Sequence, residues 1–271
     1  MLIEEKKLKH WIDNFYGYGS WDASCWFVGP EETGGEVPED VADKINYFQN
    51  VRIDSNGTLC DIRELYGQVA VRWEGPKANA FDNLHDYRFS AKSILNGVWK
   101  NLISFEFGFA GRETPDIPDY QRNDFLSPIA QNEALIQLYP LPGPNSHAWY
   151  YTWLELPQLT FLKSRAQYQE HVYPDRMQTI LSNIRKHKPE VVLMYGMENI
   201  NTIKKSIHDF FEGVNFKMIK AERQQIPQHH RVDLNGTLVL LTTQFPALRH
   251  NRVETGFNWE EFGRKAKRES K

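Results

Sequence analysis

The chain has 271 residues, of which 41% are hydrophobic and 25% charged, a composition that is ordinary for a globular protein with a substantial core. A formal net charge of -3 and a pI near 6.3 argue against a protein that coats nucleic acid nonspecifically. Its two cysteines, Cys25 and Cys60, lack CxxC spacing, which argues against a disulfide framework, a zinc ribbon or an iron–sulfur cluster. We therefore expect no cofactor and assign no metal ligand.

The chain starts with charged residues and contains no apolar run long enough to cross a membrane. We therefore expect neither a signal peptide nor a membrane span, and we expect a cytoplasmic location. Basic residues gather in the tail Arg264-Lys265-Ala266-Lys267-Arg268, which we interpret as a solvated helix end rather than a binding arm.

The first elements in chain order are a helix over residues 2–15 and an irregular connector over residues 16–21. Residues 24–28 are small, aromatic or β-branched, which is typical of a buried strand. Glu31 and Glu32 follow this strand at once. Because ligands of open α/β sheets bind beyond the carboxyl ends of the strands, both glutamates are candidate catalytic residues. They could instead cap the next helix, since carboxylates favour a helix N-terminus.

A long insertion of helices and loops, around residues 38–130, separates this strand from the next. It should begin with a helix to Gln49, started by Pro38. The dipeptide Asn56-Gly57 predicts a small hairpin or a tight loop. Apolar residues recur at helical spacing over residues 89–107, and a proline-containing loop is expected over residues 111–131.

The second strand, residues 134–139, contains Gln137 and ends in a turn stiffened by three prolines. This turn holds Asn145 and His147, whose amide and imidazole groups suit the edge of a nucleobase, although such turns often serve only to leave a sheet. The aromatic residues that follow could stack on a planar ligand or pack in the core.

Two further long strands are expected at residues 191–196 and 237–241, and a short strand is expected at residues 216–219. Asn235-Gly236 predicts a hairpin before the last strand. Helices are expected at residues 174–188 and 198–211. The long strands thus alternate with helices, which predicts an α/β fold: a three-layer α/β/α sandwich with a mostly parallel central sheet of about four strands. No linker or repeat divides the chain, so we expect a single domain over residues 1–271.

Three loops at the ends of predicted strands resemble motifs of the uracil-DNA glycosylase superfamily in their order and spacing. They are Gly29-Pro30-Glu31-Glu32-Thr33-Gly34-Gly35, the Pro-Gly-Pro-Asn turn, and Thr242-Thr243-Gln244-Phe245-Pro246-Ala247-Leu248-Arg249. Members of that superfamily carry a Gly-x-[Asp, Glu or Ala]-Pro motif after the first strand. A Lys-Pro-x-Val-[hydrophobic]-Gly strand, similar to residues 188–196 here, precedes their His-Pro-Ser-x-Leu motif. The resemblance covers most of the chain as architecture.

The resemblance implies that Glu31 is the carboxylate that activates water, with Glu32 as the alternative. Gln244 falls where the family places the histidine that stabilises charge on the departing base. Glutamine donates a hydrogen bond but cannot carry a positive charge, so this stabilisation would be weaker. His250 or the pair His229-His230 could replace it.

The resemblance also implies an amide that reads the base, for which Gln137 and Asn145 are the candidates, beside His147. Phosphates of DNA would be held by basic residues of the last loop, namely Arg249, His250 and Arg252.

The expected function is therefore that of a DNA glycosylase-like repair protein, which flips a nucleotide out of the stack and hydrolyses its N-glycosidic bond. A non-catalytic module that binds a nucleobase or nucleic acid on the same fold is the alternative, and a hydrolase of small nucleosides is a third reading. The glutamine in place of histidine favours the module, whereas the doubled glutamate favours the enzyme.

Overall fold

The computed structural model describes residues 3–32, 37–72, 80–143, 148–247 and 256–268, in which the chain forms one mixed sheet of eight strands with helices around it. The strands are β1 (Phe15–Gly19), β2 (Cys25–Gly29), β3 (Thr58–Cys60), β4 (Glu133–Gln137), β5 (Val191–Met194), β6 (Lys217–Ile219), β7 (His229–Leu234) and β8 (Thr237–Leu241). The helices of the same residues are α1 (Glu5–Asn14), α2 (Pro38–Phe48), α3 (Ile62–Gly67), α4 (Leu84–Phe89), α5 (Gly97–Ala110), α6 (Ile117–Asn123), α7 (Arg165–His187), α8 (Ile200–Phe210) and α9 (Trp259–Arg268). The expected α/β class is confirmed.

The strands lie in the order β3-β1-β4-β2-β5-β8-β7-β6. The central strands β4, β2, β5 and β8 are mutually parallel and are the ones that the unbroken apolar runs predicted. The expectation of about four strands was wrong, because the sheet is extended on both sides. β1 is antiparallel to β4 and parallel to β3, while β7 and β6 add an antiparallel edge beyond β8.

Helices cover both faces of the sheet. Side chains of β2 alternate between the two faces, so neighbouring residues contact helices on opposite sides of the sheet. The ring of Trp26 lies 6.4 Å from that of His187 at the end of α7, whereas the ring of Phe27 lies 6.2 Å from that of Phe105 in α5. The strand is completely buried between these layers.

The connector expected at residues 16–21 is instead strand β1, and its glycines explain the error. Gly17 has a φ of 136°, and a Cβ atom there would lie 2.0 Å from the carbonyl oxygen of Leu135. A glycine normally weakens a strand, but here it lets β1 approach β4 closely.

Of the two alternatives given for Asn56-Gly57, the tight loop is confirmed and the hairpin is not, since β3 pairs in parallel with β1. Two other predictions in the insertion needed correction. The helix expected over residues 89–107 begins only at Gly97, as α5, because the Asn96 side chain caps it there, and α4 ends at Phe89. The loop expected over residues 111–131 contains α6, capped by Asp116.

The second half of the chain agrees more closely with the sequence. Asn235-Gly236 closes the predicted hairpin, with φ of 57° and 100° at its two residues. α7 begins nine residues before the expected Pro174, which lies inside the helix. No helix in the described ranges combines the length and the apolar character needed to cross a membrane.

Candidate functional site

The loops that follow the parallel strands meet at one edge of the sheet. Beyond β2 and β4, the amide of Tyr139 donates to the carbonyl of Pro30 at 2.7 Å. Beyond β5 and β8, the amide of Gly196 donates to the carbonyl of Gln244 at 3.2 Å. The ring of Phe245 and Pro30 both pack against Gly196, which joins the two pairs of loops. The loops carrying Glu31 and Gln244 therefore share this carboxyl edge.

Only one of the two carboxylate oxygens of Glu31 has a hydrogen-bond partner among the described residues. Its Oε1 accepts a hydrogen bond from Nη1 of Arg165, the first residue of α7. Its Oε2 is buried and has no hydrogen-bond partner among the described residues. Arg165 also donates through Nη2 to the carbonyl of Ala148 at 2.8 Å, so it ties the β2 loop to the chain beyond the proline-rich turn. The carboxylate is thus fixed in place with one oxygen left to accept a proton or a hydrogen bond.

The surroundings of Glu31 make it a better base than an ordinary glutamate. Burial raises the pKa of the Glu31 carboxyl above its usual value, the Arg165 guanidinium opposes this rise, and Glu198 adds to it. A carboxylate with a raised pKa takes up a proton from water more readily near neutral pH.

Gly143 explains how the β4 loop lies against this ion pair. A Cβ atom on Gly143 would lie 2.6 Å from Nη2 of Arg165 and 3.4 Å from Oε1 of Glu31. The amide of Gly143 donates to the carbonyl of Glu32 at 3.2 Å, and the hydroxyl of Tyr151 donates to the carbonyl of Pro142 at 2.9 Å. A side chain at residue 143 would therefore displace the Arg165 guanidinium from the ion pair.

Glu32 has a different environment from its neighbour. Its Oε1 accepts hydrogen bonds from Nζ of Lys44 at 2.7 Å and from the hydroxyl of Tyr66 at 2.8 Å, and its Oε2 accepts one from the hydroxyl of Tyr18 at 2.8 Å. Burial alone would raise the pKa of Glu32, but Lys44 and the two hydroxyl groups outweigh it and hold the pKa below its usual value. Glu32 therefore stays charged and joins β1, α2 and α3 to the β2 loop.

Gln137 is the amide that the structure places at this edge. It is 3% exposed, and its Oε1 has no hydrogen-bond partner among the described residues. It lies in register with Gly29 and so points to the same face as Phe27, toward α5. The hydroxyl of Tyr195 lies over Gly29 on this face, 2.7 Å from where a Cβ atom would be.

Gln244 lies in the last loop but turns toward its own backbone. Its Nε2 donates to the carbonyl of Phe245 at 3.3 Å, and its backbone amide donates to Oγ1 of Thr242 at 3.1 Å. The ring of Phe245 meets that of Tyr195 edge to face, with centroids 5.3 Å apart. The alternative His229 is buried, with its ring 4.8 Å from that of Phe262 in α9.

The other candidate residues divide into two groups. Asn145, His147, Arg249, His250 and Arg252 lie outside the described residues. Among the aromatic residues after the proline-rich turn, Tyr150 and Tyr151 are buried, whereas Trp153 is 83% exposed.

The sequence did not point to Arg165 or Tyr195. A signal for Arg165 existed, because Ser164 caps α7 and a serine before a helical pattern marks a helix start. Tyr195 was taken only as part of a buried strand. No group of three or more His, Cys, Asp or Glu side chains in the described part of the chain is arranged to hold a metal ion.

Comparison of the chain with protein-family models, with curated proteins and with solved structures gives no match.

Proposed function

We propose that this protein binds a nucleobase at the carboxyl edge of its sheet and hydrolyses the N-glycosidic bond of that base, as a divergent DNA glycosylase-like enzyme. The observation that carries the proposal is Glu31, which Arg165 fixes through Oε1 while its buried Oε2 has no partner. A buried acceptor left without a partner is costly unless a bound molecule completes it. A water molecule held by Oε2 would complete it.

In the proposed reaction, Glu31 takes a proton from this water while the oxygen of the water bonds to the anomeric carbon of the sugar. The bond from that carbon to the base nitrogen breaks, and its electron pair leaves with the base. The charged carboxylate also stabilises the positive charge that develops on the sugar. The proton on Glu31 then passes to the base or to solvent, which restores the carboxylate.

Gln137 is proposed to bind the base. Its amide can donate to a base oxygen and accept from a base N–H, which would satisfy the Oε1 atom that has no partner. Tyr195 and Phe245 supply aromatic surface on the same edge. A base oxygen that gains negative charge during bond breaking would strengthen its hydrogen bond to the Gln137 amide.

A non-catalytic binding module is the second candidate. It is favoured by Gln244, which has no charge and whose side chain donates to the carbonyl of Phe245. Such a group offers less stabilisation to a departing base than an imidazolium would. The two candidates differ in whether a product forms.

The test uses duplexes and single strands that carry uracil, hypoxanthine, xanthine or an alkylated base, together with the free nucleosides. Alkaline cleavage reveals abasic sites, and chromatography reveals bases released from nucleosides. We expect Glu31→Gln to lower turnover by about 10²- to 10⁴-fold with unchanged binding. The substitution removes the carboxylate that accepts the proton but keeps the shape of the side chain. Glu113→Gln, an exposed residue far along the chain, is the matched control.

Three outcomes would contradict parts of the proposal. Unchanged turnover in Glu31→Gln would remove this residue from the mechanism. Binding without product across all substrates would favour the module. A Gln137→Leu variant that binds every base as well as the wild type would place the base elsewhere.

A further inference from the structure

Arg176, in the middle of α7, is a buried cation that donates to three backbone carbonyls. It is 2% exposed, its Nε donates to the carbonyl of Leu138 at 3.1 Å, and its Nη1 donates to the carbonyl of Phe15 at 2.6 Å. Its Nη2 donates to the carbonyl of Gln137. The guanidinium therefore connects α7 to two neighbouring strands of the sheet, because β1 begins at Phe15 and β4 ends at Gln137.

The burial of Arg176 carries a cost in free energy. Burial lowers the pKa of its guanidinium, a shift that nearby Tyr16 and Tyr168 oppose. The guanidinium lies over the ring of Tyr16, 3.7 Å from its centroid. A buried charge that is held by carbonyls and aromatic rings instead of a carboxylate adds little to stability, because the loss of hydration offsets most of the gain. What the arrangement does provide is a fixed position of the helix on the sheet.

The same face of α7 holds the candidate site at two further points. Arg165, Tyr168 and Arg176 are separated by three and eight residues, so they lie on one face of the helix. The hydroxyl of Tyr168 accepts a hydrogen bond from the amide of Leu141 at 2.9 Å, in the loop that follows β4. Arg165 donates to Oε1 of Glu31. The position of α7 on the sheet therefore sets the position of Arg165 against the carboxylate.

Pro174 makes a fixed point on this helix necessary. It lies inside α7, where its ring nitrogen cannot donate the hydrogen bond that the helix would otherwise make. Helices bend most readily at such a residue. Arg176 lies two residues beyond Pro174, so it fastens the helix to the sheet close to the place where the helix is weakest. Without it, the turns that carry Arg165 would be free to change direction.

We propose that Arg176 is a positioning residue of the Glu31 site. By fastening α7 to the sheet it fixes Arg165 against Glu31. By holding the carbonyl of Gln137 it also fixes the proposed base-binding amide relative to the same helix. Arg176 acts through these residues and is not placed in contact with a substrate. This inference rests on the proposed function for the purpose of the site, but the positions of the groups do not depend on hydrolysis.

The test measures the pKa of Glu31 by NMR titration of protein labelled with ¹³C in its glutamate carboxyl groups, and Glu31→Gln identifies the signal. Arg165→Gln removes the cation that lowers this pKa and should raise it by about one pH unit or more. We expect Arg176→Met to raise the pKa of Glu31 by at least about half of that rise. Methionine fills the space but cannot donate to the carbonyls, so Arg165 loses its fixed position.

Two variants serve as comparisons. Arg176→Lys keeps the charge but has a single nitrogen in place of the planar fork, so it should give a smaller rise than Arg176→Met. It also decides the question if Arg176→Met does not fold. Arg185→Met removes another arginine of α7, whose Nη2 donates to the carbonyl of Phe210 at 2.6 Å, and should leave the pKa of Glu31 unchanged.

A double variant shows whether Arg176 acts through Arg165. Arg165→Gln combined with Arg176→Met should give the same pKa of Glu31 as Arg165→Gln alone, because the contact that Arg176 supports is already absent. With a substrate that releases its base, Arg176→Met should lower kcat and move the acidic limb of the pH–rate profile to higher pH. A general loss of stability would lower the rate without moving this limb.

The inference is overturned if the pKa of Glu31 stays unchanged in Arg176→Lys and in any folded Arg176→Met. An equal rise in Arg185→Met, or additive rises in the double variant, would overturn it as well. Its failure is distinct from failure of the proposed hydrolysis. A raised pKa without base release from any substrate supports the positioning and removes the hydrolysis. Base release that depends on Glu31, with an unmoved pKa in the Arg176 variants, supports the hydrolysis and removes the inference.

Discussion

Replacing Glu133 with glutamine should make the stability of the protein less dependent on pH. Glu133 begins β4 at the amino edge of the sheet and is 1% exposed. Its Oε1 accepts a hydrogen bond from the hydroxyl of Tyr120 at 2.7 Å, and its Oε2 has no hydrogen-bond partner among the described residues. Burial, opposed by the Tyr120 hydrogen bond and assisted by the nearby Glu106, raises the pKa of Glu133 to about 8.

The size of the effect follows from the difference between the folded and unfolded pKa values. An unfolded glutamate titrates near pH 4.3, so between this value and about pH 8 the folded state holds a proton that the unfolded state has released. The free energy of unfolding then falls as pH rises, by up to about 1.4 kcal/mol per pH unit. Over the whole interval the loss approaches about 5 kcal/mol, and above it the contribution no longer changes.

The assay is urea unfolding of the wild type and of Glu133→Gln at several pH values from 5 to 8. Glutamine keeps the size of the side chain and can still accept from Tyr120, but it has no proton to lose. The free energy of unfolding of the variant, relative to the wild type, should rise by about 1 kcal/mol for each pH unit. Parallel curves for the two proteins would refute the reasoning, and Glu113→Gln should give such parallel curves.

Three further variants test the carboxyl edge. Lys44→Met leaves the buried charge of Glu32 without its ion pair, so the free energy of unfolding should fall by about 3 kcal/mol in urea titrations. An unchanged free energy of unfolding would contradict the pairing. Arg165→Gln removes the cation that lowers the pKa of Glu31, so the acidic limb of the pH–rate profile should move to higher pH. An unmoved limb would show that Arg165 does not set the pKa of the group that controls the rate. Gly143→Ala places a methyl group against Arg165 and should reduce kcat at least about tenfold with little change in urea stability, whereas full activity would contradict the close approach.

The central sheet could be predicted from the sequence because its strands are buried on both faces. β2, β5 and β8 are unbroken apolar runs, and such runs need no knowledge of their partners to be recognised. β1 could not be recognised in this way, since its glycines signal a loop until the position of β4 is known. β3 has three residues, too few for any periodicity to be visible. β6 is equally short but lies within the short strand expected at residues 216–219.

The position of the candidate site could be predicted from the sequence, but the different partners of its two glutamates could not. The sequence placed Glu31 and Glu32 at the end of the first strand and named Gln137, all of which lie at the carboxyl edge. The family resemblance put Glu31 before Glu32, but the residues themselves gave no physical reason for that order, because the partners of the two glutamates are remote: Arg165 lies 134 residues from Glu31, and Lys44 comes from the following helix. Partners supplied by tertiary packing are not encoded in local spacing.

The two adjacent glutamates lie in one loop but have different surroundings. Burial acts on both, but Glu32 receives a cation and two hydroxyl groups, so its pKa falls, while Glu31 receives one guanidinium and keeps an oxygen without a partner, so its pKa rises. Paired acids whose pKa values are driven apart can take different roles at the same pH. Near neutral pH, Glu32 keeps its charge and holds the loop to Lys44, and in the proposed reaction that fixed loop would allow Glu31 to exchange a proton without moving.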